Sequence, residues 1–211
     1  EDYMYMHKLA ESARARHGIV DVIMKTLFEK NPQEKAHSLR VSYMVAMIGE
    51  ALNLDSHQID ELKALGLMHD IGKISVRDDT LNKTTPLSSS EWIEIKRHAE
   101  IGYKILSSAH EYLQMAEYVL QHHEHLDGTG YPKGIRGADI SLQAKIVAVA
   151  DAYDAMINPQ PYREGMLSQQ AVDELKKCAG TQFDAEVVKT FERVVQEMDL
   201  QNLAVTGGPE S

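Results

Sequence analysis

The sequence predicts an all-α fold, and three observations lead to that prediction. Apolar residues recur at three- and four-residue steps over most of the 211 residues, which is the period of an amphipathic helix. No stretch of useful length alternates apolar and polar residues in the way that a half-buried strand does. Two periodic stretches begin with a capping box, Asp55 with Gln58 and Ser88 with Glu91. We therefore expect a helical bundle.

The first helical pattern runs from Tyr3 to Lys30 and ends at Asn31-Pro32, because proline disfavours helix in the residue before it. We expect residues 1–30 to be a connecting helix, residues 31–200 to be one domain, and residues 201–211 to be a flexible tail. Within the domain the periodicity predicts helices over about Gln33–Leu52, Asp55–His69, Ser88–His98, Ala99–Ser107, Tyr112–His125, Ser141–Met156, Ser168–Cys178 and Asp184–Met198, with loops at Gly72–Pro86 and between His125 and Ser141.

Composition limits the function. Hydrophobic residues make up 43% and charged residues 26% of the chain, which excludes disorder throughout. Acidic residues outnumber basic ones by 32 to 22, giving a net charge of -10, which argues against binding DNA or an anionic membrane. No apolar run approaches the roughly 18 residues of a membrane span, and the lone Cys178 excludes a disulfide framework. We expect a cytoplasmic protein.

Ten histidines stand out. Four of them lie alone among mostly polar residues, where exposed surface positions are expected: His7, His17, His57 and His110. The other six follow or accompany apolar helical stretches. The positions of these six histidines therefore indicate a common functional site rather than a random distribution.

His69-Asp70 is the sharpest feature, because it ends the apolar run of residues 65–68. An imidazole and a carboxylate are costly to bury unless something satisfies them. Either a divalent metal does so, with the carboxylate able to bridge two ions, or the two residues form a buried ion pair that caps the helix. Lys73 lies four residues after His69 and projects near the same side if helical geometry persists past Gly72.

His122-His123 also ends an apolar helix. Adjacent helical residues point about 100° apart, so the pair can serve two metals or two edges of one site, although a histidine pair alone is a weak signal. His125 lies on the flank, as an exposed residue or a neighbour of the ligands. His37 and His98 stand on amphipathic helices, and Asp151 follows four small apolar residues. Each of these three alone is better explained by a satisfied polar residue in the core.

Taken together, these histidines and aspartates favour a metal site over separate buried polar residues. Separate helices that send His37, His69, Asp70, His98, His122, His123 and Asp151 inward can hold two metal ions. Nitrogen and oxygen ligands without thiolate favour iron or manganese, with zinc, nickel and cobalt as alternatives. Two metals about 3.5–4 Å apart generate a bridging hydroxide and clamp both oxygens of a phosphoryl displacement. The pattern thus predicts phosphoester hydrolysis.

The loop Asp127-Gly128-Thr129-Gly130-Tyr131-Pro132 follows the histidine pair. Its glycines allow close approach of the backbone to a ligand, and Tyr131 with Pro132 could offer a flat surface to a base. The loop lacks the lysine and spacing of a P-loop, and a plain tight turn remains the alternative.

These residues resemble the HD-GYP family, a branch of the HD-domain metal-dependent phosphohydrolases. The resemblance covers residues 33 to about 195 and implies an all-α HD-domain bundle that hydrolyses cyclic di-GMP to the linear dinucleotide, sometimes onward to GMP. It rests on the segments His37-Ser38-Leu39-Arg40-Val41, His69-Asp70-Ile71-Gly72-Lys73, His98 within residues 92–102, His122-His123-Glu124, Asp127–Pro132, Val149–Ala155, Pro161-Tyr162-Arg163 and Gly180–Asp184.

The resemblance also implies roles. His37, His69, Asp70 and Asp151 match the ligands of the basic HD site, with Asp70 as the bridge, and His98, His122 and His123 match ligands of the second metal. Lys73 matches a lysine that contacts the scissile phosphate and offsets its growing charge. Gly130, Tyr131 and Pro132 match the signature loop of the family, which is expected to shape the substrate cleft or a partner surface. Arg163 matches a basic residue that meets a substrate phosphate, and Asp154 is a further expected substrate contact.

Three departures from the family pattern bear on this expectation. Members with a third metal carry a glutamate four residues before the first histidine, where this chain has Gln33, and Glu34 is expected one step off the right face. We therefore expect two metals, although Asp154 leaves a third site open. Gln160 and Lys145 stand where the family often has arginine, which places substrate affinity in question.

The N-terminal residues Glu1–Lys8 are similar to the closing stretch of GGDEF, or diguanylate cyclase, domains. Together with the missing initiator methionine, this resemblance predicts a fragment of a multidomain signalling protein with a fused sensory or GGDEF domain. The exposed-looking helix over residues 3–30 suggests a homodimer, and it is otherwise simply the first helix of this domain. Alternative functions are hydrolysis of another nucleotide, such as cyclic GMP-AMP, and dinucleotide or partner binding without hydrolysis.

Overall fold

The computed structural model describes residues 18–159 and 164–206, and over these residues the all-α prediction is confirmed. The described chain contains no β-strand, and Ala179 and Phe183 form one isolated bridge. No helix within it combines the length and the apolar character that crossing a bilayer requires. The α-helices are α1 (residues 18–30), α2 (Pro32–Ala51), α3 (Ser56–Met68), α4 (Asp78–Leu81), α5 (Ser89–Lys96), α6 (His98–Leu106), α7 (Leu113–Gln121), α8 (Leu142–Ile157), α9 (Ser168–Lys177) and α10 (Ala185–Thr206).

Two boundaries differ from the sequence prediction. The expected loop over residues 72–86 contains α4 and a 3₁₀ helix, Ile71–Ser75. Helix α10 continues to Thr206, past the predicted end at Met198 and into the segment expected to be a tail. Residues 1–17, which include His7, His17 and most of the predicted connecting helix, and residues 207–211 lie outside the described chain.

The helix starts follow the signals in the sequence. Asn31 caps α2, because its side chain accepts a hydrogen bond from the Glu34 backbone N–H at 3.0 Å. Both predicted capping boxes, at the starts of α3 and α5, form with both of their hydrogen bonds. These local contacts set where each helix begins and therefore which of its faces meets the core.

The core lies where α2, α3 and α8 pack together and are closed over by α7, α9 and α10. Val41 of α2 is fully buried in this core, and His37 lies one turn before it on the same face. Asp151 of α8 likewise follows the buried Val147 by four residues. The apolar stripes thus continue directly into polar side chains, which places the polar cluster at one end of the core. Leu39, also on α2, is 52% exposed and lies outside this core.

A glycine allows the chain after α3 to approach α6 closely. A Cβ atom on Gly72 would collide with the carbonyl oxygen of His98 and lie 2.6 Å from the backbone nitrogen of Gly102. Without a side chain at this position the 3₁₀ helix packs directly on the start of α6. This contact brings Asp70 to within 3.2 Å of His98.

We expect Gly72→Ala to lower the free energy of unfolding by about 1–3 kcal/mol, because the added methyl group meets backbone atoms that cannot rotate away. Urea denaturation of the variant and the parent chain measures this difference. Gly18→Ala is the matched control, since a Cβ atom there meets nothing within 4 Å. Equal stability of the Gly72→Ala variant and the parent would contradict the packing argument.

Candidate metal centre

Seven side chains from five places in the fold converge at the end of the core. They are His37 of α2, His69 and Asp70 after α3, His98 at the start of α6, His122 and His123 after α7, and Asp151 of α8. These are the seven residues that the sequence proposed as ligands, and the structure brings all of them together. They divide into two groups that share Asp70.

The first half-site contains His37, His69 and Asp151 around the Oδ2 atom of Asp70. The Nε2 atoms of His37 and His69 are 3.3 Å apart. Oδ2 of Asp70 lies 3.1 Å from His69 Nε2 and 3.6 Å from His37 Nε2. Asp151 Oδ1 is 3.2 Å from His37 Nε2. Two imidazoles and two carboxylates therefore face one small volume.

The second half-site contains His98, His122 and His123 around the other oxygen of Asp70. Oδ1 of Asp70 lies 3.2 Å from His98 Nε2, which is itself 3.3 Å from His122 Nε2. Donor atoms of Asp70 and the three histidines all lie within 4.8 Å of one another. Asp70 thus presents one oxygen to each half-site, which is the arrangement of a bridging carboxylate.

The hydrogen bonds of the Nδ1 atoms fix which nitrogen of each ring faces inward. His69, His98 and His122 donate from Nδ1 to the carbonyl oxygens of Gly66, Ile95 and Val119, each three residues earlier, at 2.9, 2.7 and 2.6 Å. A carbonyl oxygen only accepts, so Nδ1 carries the proton and a neutral ring presents the lone pair of Nε2 to the site. This is the tautomer that a metal ligand needs.

The donor set fits divalent cations. Oδ1 of Asp70 is buried and has no hydrogen-bond partner among the described residues. The lone pairs of His98 Nε2 and His122 Nε2 face each other at 3.3 Å, and two acceptors at that distance are stabilised only by a proton or a cation between or beside them. Neutral imidazoles, carboxylates and the lack of any thiolate suit first-row divalent metals.

The pKa values of the histidines differ between the two half-sites. Burial lowers the pKa values of His98 and His122 and lowers that of His123 to about 3. In the first half-site burial opposes protonation too, but hydrogen bonds to Asp151, Asp154 and Asp70 outweigh it and raise the pKa of His37 to about 12. The second half-site therefore offers neutral imidazoles, and the carboxylates of the first strongly favour positive charge.

Asp154 holds His37 in place, a role that differs from the substrate contact expected of it. Its Oδ2 atom accepts from His37 Nδ1 at 2.7 Å, and its two oxygens accept from Arg40 Nε and Nη2 at 2.6 and 2.8 Å. Asn158 donates to Oδ1 at 3.0 Å. The carboxyl group is buried, and these partners fill its acceptor positions, so it orients His37 from behind.

The position of Glu34 differs from the expectation that it lies off the helix face of His37. The sequence placed it off the face that carries His37, but it is buried, and its carboxylate lies 3.0 Å from Lys73 Nζ. Residues three apart share a helix face as well as residues four apart do, so Glu34 faces the site, and Gln33 lines the same cleft. Lys73 itself lies where the sequence predicted, with Nζ 2.7 Å from Asp70 Oδ2.

The glycine-rich loop packs against the second half-site. The ring of Tyr131 stacks on His123 with 4.7 Å between the ring centroids, and Lys96 Nζ lies 5.0 Å above the tyrosine ring. A Cβ atom on Gly130 would lie 2.6 Å from Glu124 Cα, so only glycine allows this approach. One face of Tyr131 is therefore taken by His123 and is not open to a base.

Glu124 ties this loop to the histidine pair, a role that the sequence did not reveal. Its Oε1 atom accepts from the backbone N–H groups of Lys133 and Gly134 at 2.7 and 3.1 Å. The side chain is buried, and its Oε2 atom has no hydrogen-bond partner in the described chain. A carboxylate directly after a histidine pair was the available signal, but its partners lie nine and ten residues later.

A cleft of about 500 Å³ opens beside the first half-site. Its walls include His37, Lys73, Asp151 and Asp154, together with Arg40 and residues 81–84. Gly130, Tyr131 and Pro132, expected to contact substrate, do not line it. Arg163 and Gln160 lie outside the described residues. His57 and His110 are exposed, as predicted, and His125 Nδ1 is 2.9 Å from Thr129 Oγ1 at the flank.

Fold and site together define an all-α domain built around a buried histidine–aspartate cluster whose donor atoms fit divalent cations. The family model described as HD domain matches residues 21–187. The chain belongs to the HD domain family, and the resemblance drawn from its motifs is confirmed.

Three relatives illustrate the similarity. A cyclic di-GMP phosphodiesterase of Thermotoga maritima is 35% identical over 164 residues, covering 77% of this chain and 45% of that protein. The cyclic di-GMP phosphodiesterase response regulator RpfG of Xanthomonas campestris is 36% identical over 156 residues, covering 73% and 41%. A 3'3'-cGAMP-specific phosphodiesterase of Vibrio cholerae is 32% identical over 177 residues, covering 84% and 38%. The chain spans less than half the length of these relatives.

Solved structures share the fold. An HDG"Y"P protein of Bdellovibrio bacteriovorus superposes with a TM-score of 0.66 at 20% identity, over 89% of this chain and 65% of that one. The HD domain of the L. monocytogenes phosphodiesterase PgpH, in complex with cyclic-di-AMP, gives 0.62 at 16% identity, over 90% of this chain and 99% of that one. At these identities the likeness concerns the fold alone.

We expect Glu124→Ala to loosen the loop over residues 128–134, because it removes a charged acceptor from two backbone N–H groups. Hydrogen bonds to charged groups contribute about 1.5–3 kcal/mol, so amide exchange at Lys133 and Gly134 should accelerate by roughly tenfold or more. Hydrogen exchange measured by NMR tests this. Glu117→Ala, an exposed carboxylate on α7, is the control. Unchanged protection of both amides would contradict the anchoring role.

Proposed function

We propose that this chain is a metal-dependent phosphodiesterase that hydrolyses a cyclic dinucleotide, cyclic di-GMP, to linear pGpG. The observation that carries the proposal is Asp70, buried between two groups of imidazoles with one oxygen facing each. That arrangement suits two cations side by side, which together clamp the attacking and leaving oxygens in metal-assisted phosphoester hydrolysis. The names of the relatives in Thermotoga maritima and Xanthomonas campestris support cyclic di-GMP as the substrate.

When bound, two divalent cations supply Lewis-acid stabilisation of the phosphoryl oxygens and activate water for attack. His37, His69, Asp70 and Asp151 would hold one of them, and His98, His122 and His123, with the second oxygen of Asp70, would hold the other. We expect iron or manganese, with zinc, nickel and cobalt as alternatives, since imidazole and carboxylate accept all of these. Two ions are expected rather than three, because Asp154, which left a third site open, is engaged by His37 and Arg40.

Lys73 lies at the floor of the cleft and offsets negative charge on the reacting phosphate. Burial would lower its pKa, but the charges of Asp70 and Glu34 outweigh burial and raise it above the ordinary lysine value. The ammonium group therefore stays protonated and is held by three oxygens in a fixed position. A preorganised positive charge of this kind stabilises the charge that develops in the transition state.

A second substrate is favoured by one finding. Relatives in Vibrio cholerae at 31–32% identity are named 3'3'-cGAMP-specific phosphodiesterases. Cyclic GMP-AMP differs from cyclic di-GMP in one base, so parallel assays with both substrates decide between them. Several expectations from the sequence stay predictions. They are the fused sensory or GGDEF domain, the homodimer through the N-terminal helix, the cytoplasmic location, and the contacts of Gly130, Tyr131, Pro132 and Arg163 with substrate.

We expect Asp70→Ala to reduce turnover of cyclic di-GMP to less than about a tenth of the parent value, since it removes the one ligand common to both half-sites. His69→Ala should do the same. Purified variants are assayed after metal analysis, with folding checked by circular dichroism. Asp60→Ala, an exposed aspartate on α3, should keep parent activity. A folded Asp70→Ala variant with more than about a tenth of the activity would overturn the assignment.

The number of bound metal ions should depend on which half-site a substitution removes. We expect about two metal ions per parent chain, a loss of one in His98→Ala, and a loss of both in Asp70→Ala. A chelator should lower the melting temperature and abolish hydrolysis, and iron(II) or manganese(II) should restore both, because a ligand that binds only the folded state stabilises it. Metal analysis of anaerobically purified protein with calorimetric melting measures this. A metal content that is the same in all three proteins would contradict the site.

A further inference from the structure

The cleft beside the first half-site contains cationic side chains that are not among the proposed metal ligands. Three cationic side chains line it: Arg40, Lys73 and Lys83. Under the proposed function, on which this inference rests, the substrate has two phosphodiester groups and only one of them reacts. The second group is an anion as well, and an anion bound to a chain of net charge -10 needs a local cation.

Two of the three cations are already surrounded by acceptors. Lys73 Nζ contacts both oxygens of Glu34 and one of Asp70. Lys83 Nζ contacts both oxygens of Glu91, at 2.9 and 2.7 Å. An ammonium group has three N–H donors, so carboxylates within the protein take most of what these lysines can offer.

Arg40 differs because its guanidinium group has two edges. The edge formed by Nε and Nη2 pairs with the two oxygens of Asp154. The edge formed by Nη1 and the remaining N–H of Nη2 has no hydrogen-bond partner among the described residues. The side chain of Arg40 is 42% exposed, whereas that of Asp154 is 2% exposed. One edge is thus anchored in the protein, and the other is available in the cleft.

The anchored edge also prepares the free edge for binding. Asp154 is itself fixed by His37 and Asn158, so the plane of the guanidinium group is set before any ligand arrives. A ligand then needs to order less side-chain motion. Two parallel N–H donors in one plane match two oxygens of a phosphate group, which a lysine cannot match in the same way.

We propose that Arg40 binds the second, non-reacting phosphodiester group of the cyclic dinucleotide through its free Nη1–Nη2 edge. Arg40 lies three residues after His37 on α2, so the contact joins the reacting and non-reacting halves of the substrate along one helix. In this role Arg40 determines affinity for substrates with two phosphates and leaves the chemistry at the metals unchanged.

The test is Arg40→Lys, which keeps a positive charge beside Asp154 but removes the second edge. For cyclic di-GMP we expect KM to rise about ten- to a hundredfold, the range for one charge-assisted hydrogen-bonded contact, with kcat within about threefold. For bis(p-nitrophenyl) phosphate, which has one phosphodiester group, kcat/KM should stay within about twofold. Metal content should not change. Arg77→Lys, an exposed arginine paired with Glu94 outside the cleft, should match the parent throughout.

The linear dinucleotide GpG separates phosphate binding from base binding, because it has both guanines and a single phosphodiester group. Its inhibition of bis(p-nitrophenyl) phosphate hydrolysis should be equal in the parent and in Arg40→Lys. Weaker inhibition in the variant would show that the free edge contacts guanine and would overturn the proposal. A parallel fall in bis(p-nitrophenyl) phosphate hydrolysis, or loss of metal, would also overturn it, since Arg40 would then act only by positioning Asp154 and His37.

Failure of the proposed function gives a different result. If the metal-loaded parent hydrolysed neither phosphodiester, the enzyme assignment would fall, and calorimetric binding of cyclic di-GMP would then decide the role of Arg40. At least tenfold weaker binding by Arg40→Lys than by the parent would support the contact. Equal binding would overturn it.

Discussion

The buried carboxylate of Asp70 is the constraint on which the rest of the site depends. One of its oxygens lies 3.1 Å from His69, and the other lies 3.2 Å from His98 on a different helix. A charged group with no access to water is tolerated only when opposite charge surrounds it. Lys73 and the imidazoles of His37 and His69, whose pKa values are raised, provide positive charge, and the proposed divalent cations would add to it. The helices that bring these groups to Asp70 are therefore held in one arrangement, and Gly72 gives the space that the arrangement requires.

The histidines show how helical packing and metal chemistry use the same geometry. His69, His98 and His122 each donate from Nδ1 to a carbonyl oxygen three residues earlier. These carbonyls lie at helix ends, where backbone acceptors lack an intrahelical partner. The hydrogen bond satisfies the carbonyl, selects the tautomer and directs Nε2 inward. A histidine one or two residues after the end of a helix thus satisfies a backbone carbonyl and directs Nε2 into the site, without any further side chain to orient these rings.

The sequence was sufficient for the all-α class and for the seven residues that converge, because both depend on local patterns. A histidine at the end of an apolar helix is positioned by the same periodicity that buries the helix. The supporting contacts were not accessible in this way. Arg40 and Asp154 are 114 residues apart in the chain, and Glu124 meets backbone N–H groups of a loop whose path no short pattern encodes. Glu34 was misplaced because three- and four-residue steps both share a helix face, and only packing selects between them.

The cations of the cleft are each held by a carboxylate: Lys73 by Glu34 and Asp70, Lys83 by Glu91, and Arg40 by Asp154. Pairing of this kind reduces the net field that attracts an anion, so long-range attraction contributes little to substrate binding in this acidic chain. It also fixes the direction of each donor, and donors that are already oriented lose less entropy when a ligand binds. Asp154 connects the metal centre with the cleft, because its one carboxylate orients both the His37 ring toward the metal centre and the Arg40 guanidinium group toward the cleft. Affinity in this site therefore depends on the directions of its charges more than on their sum.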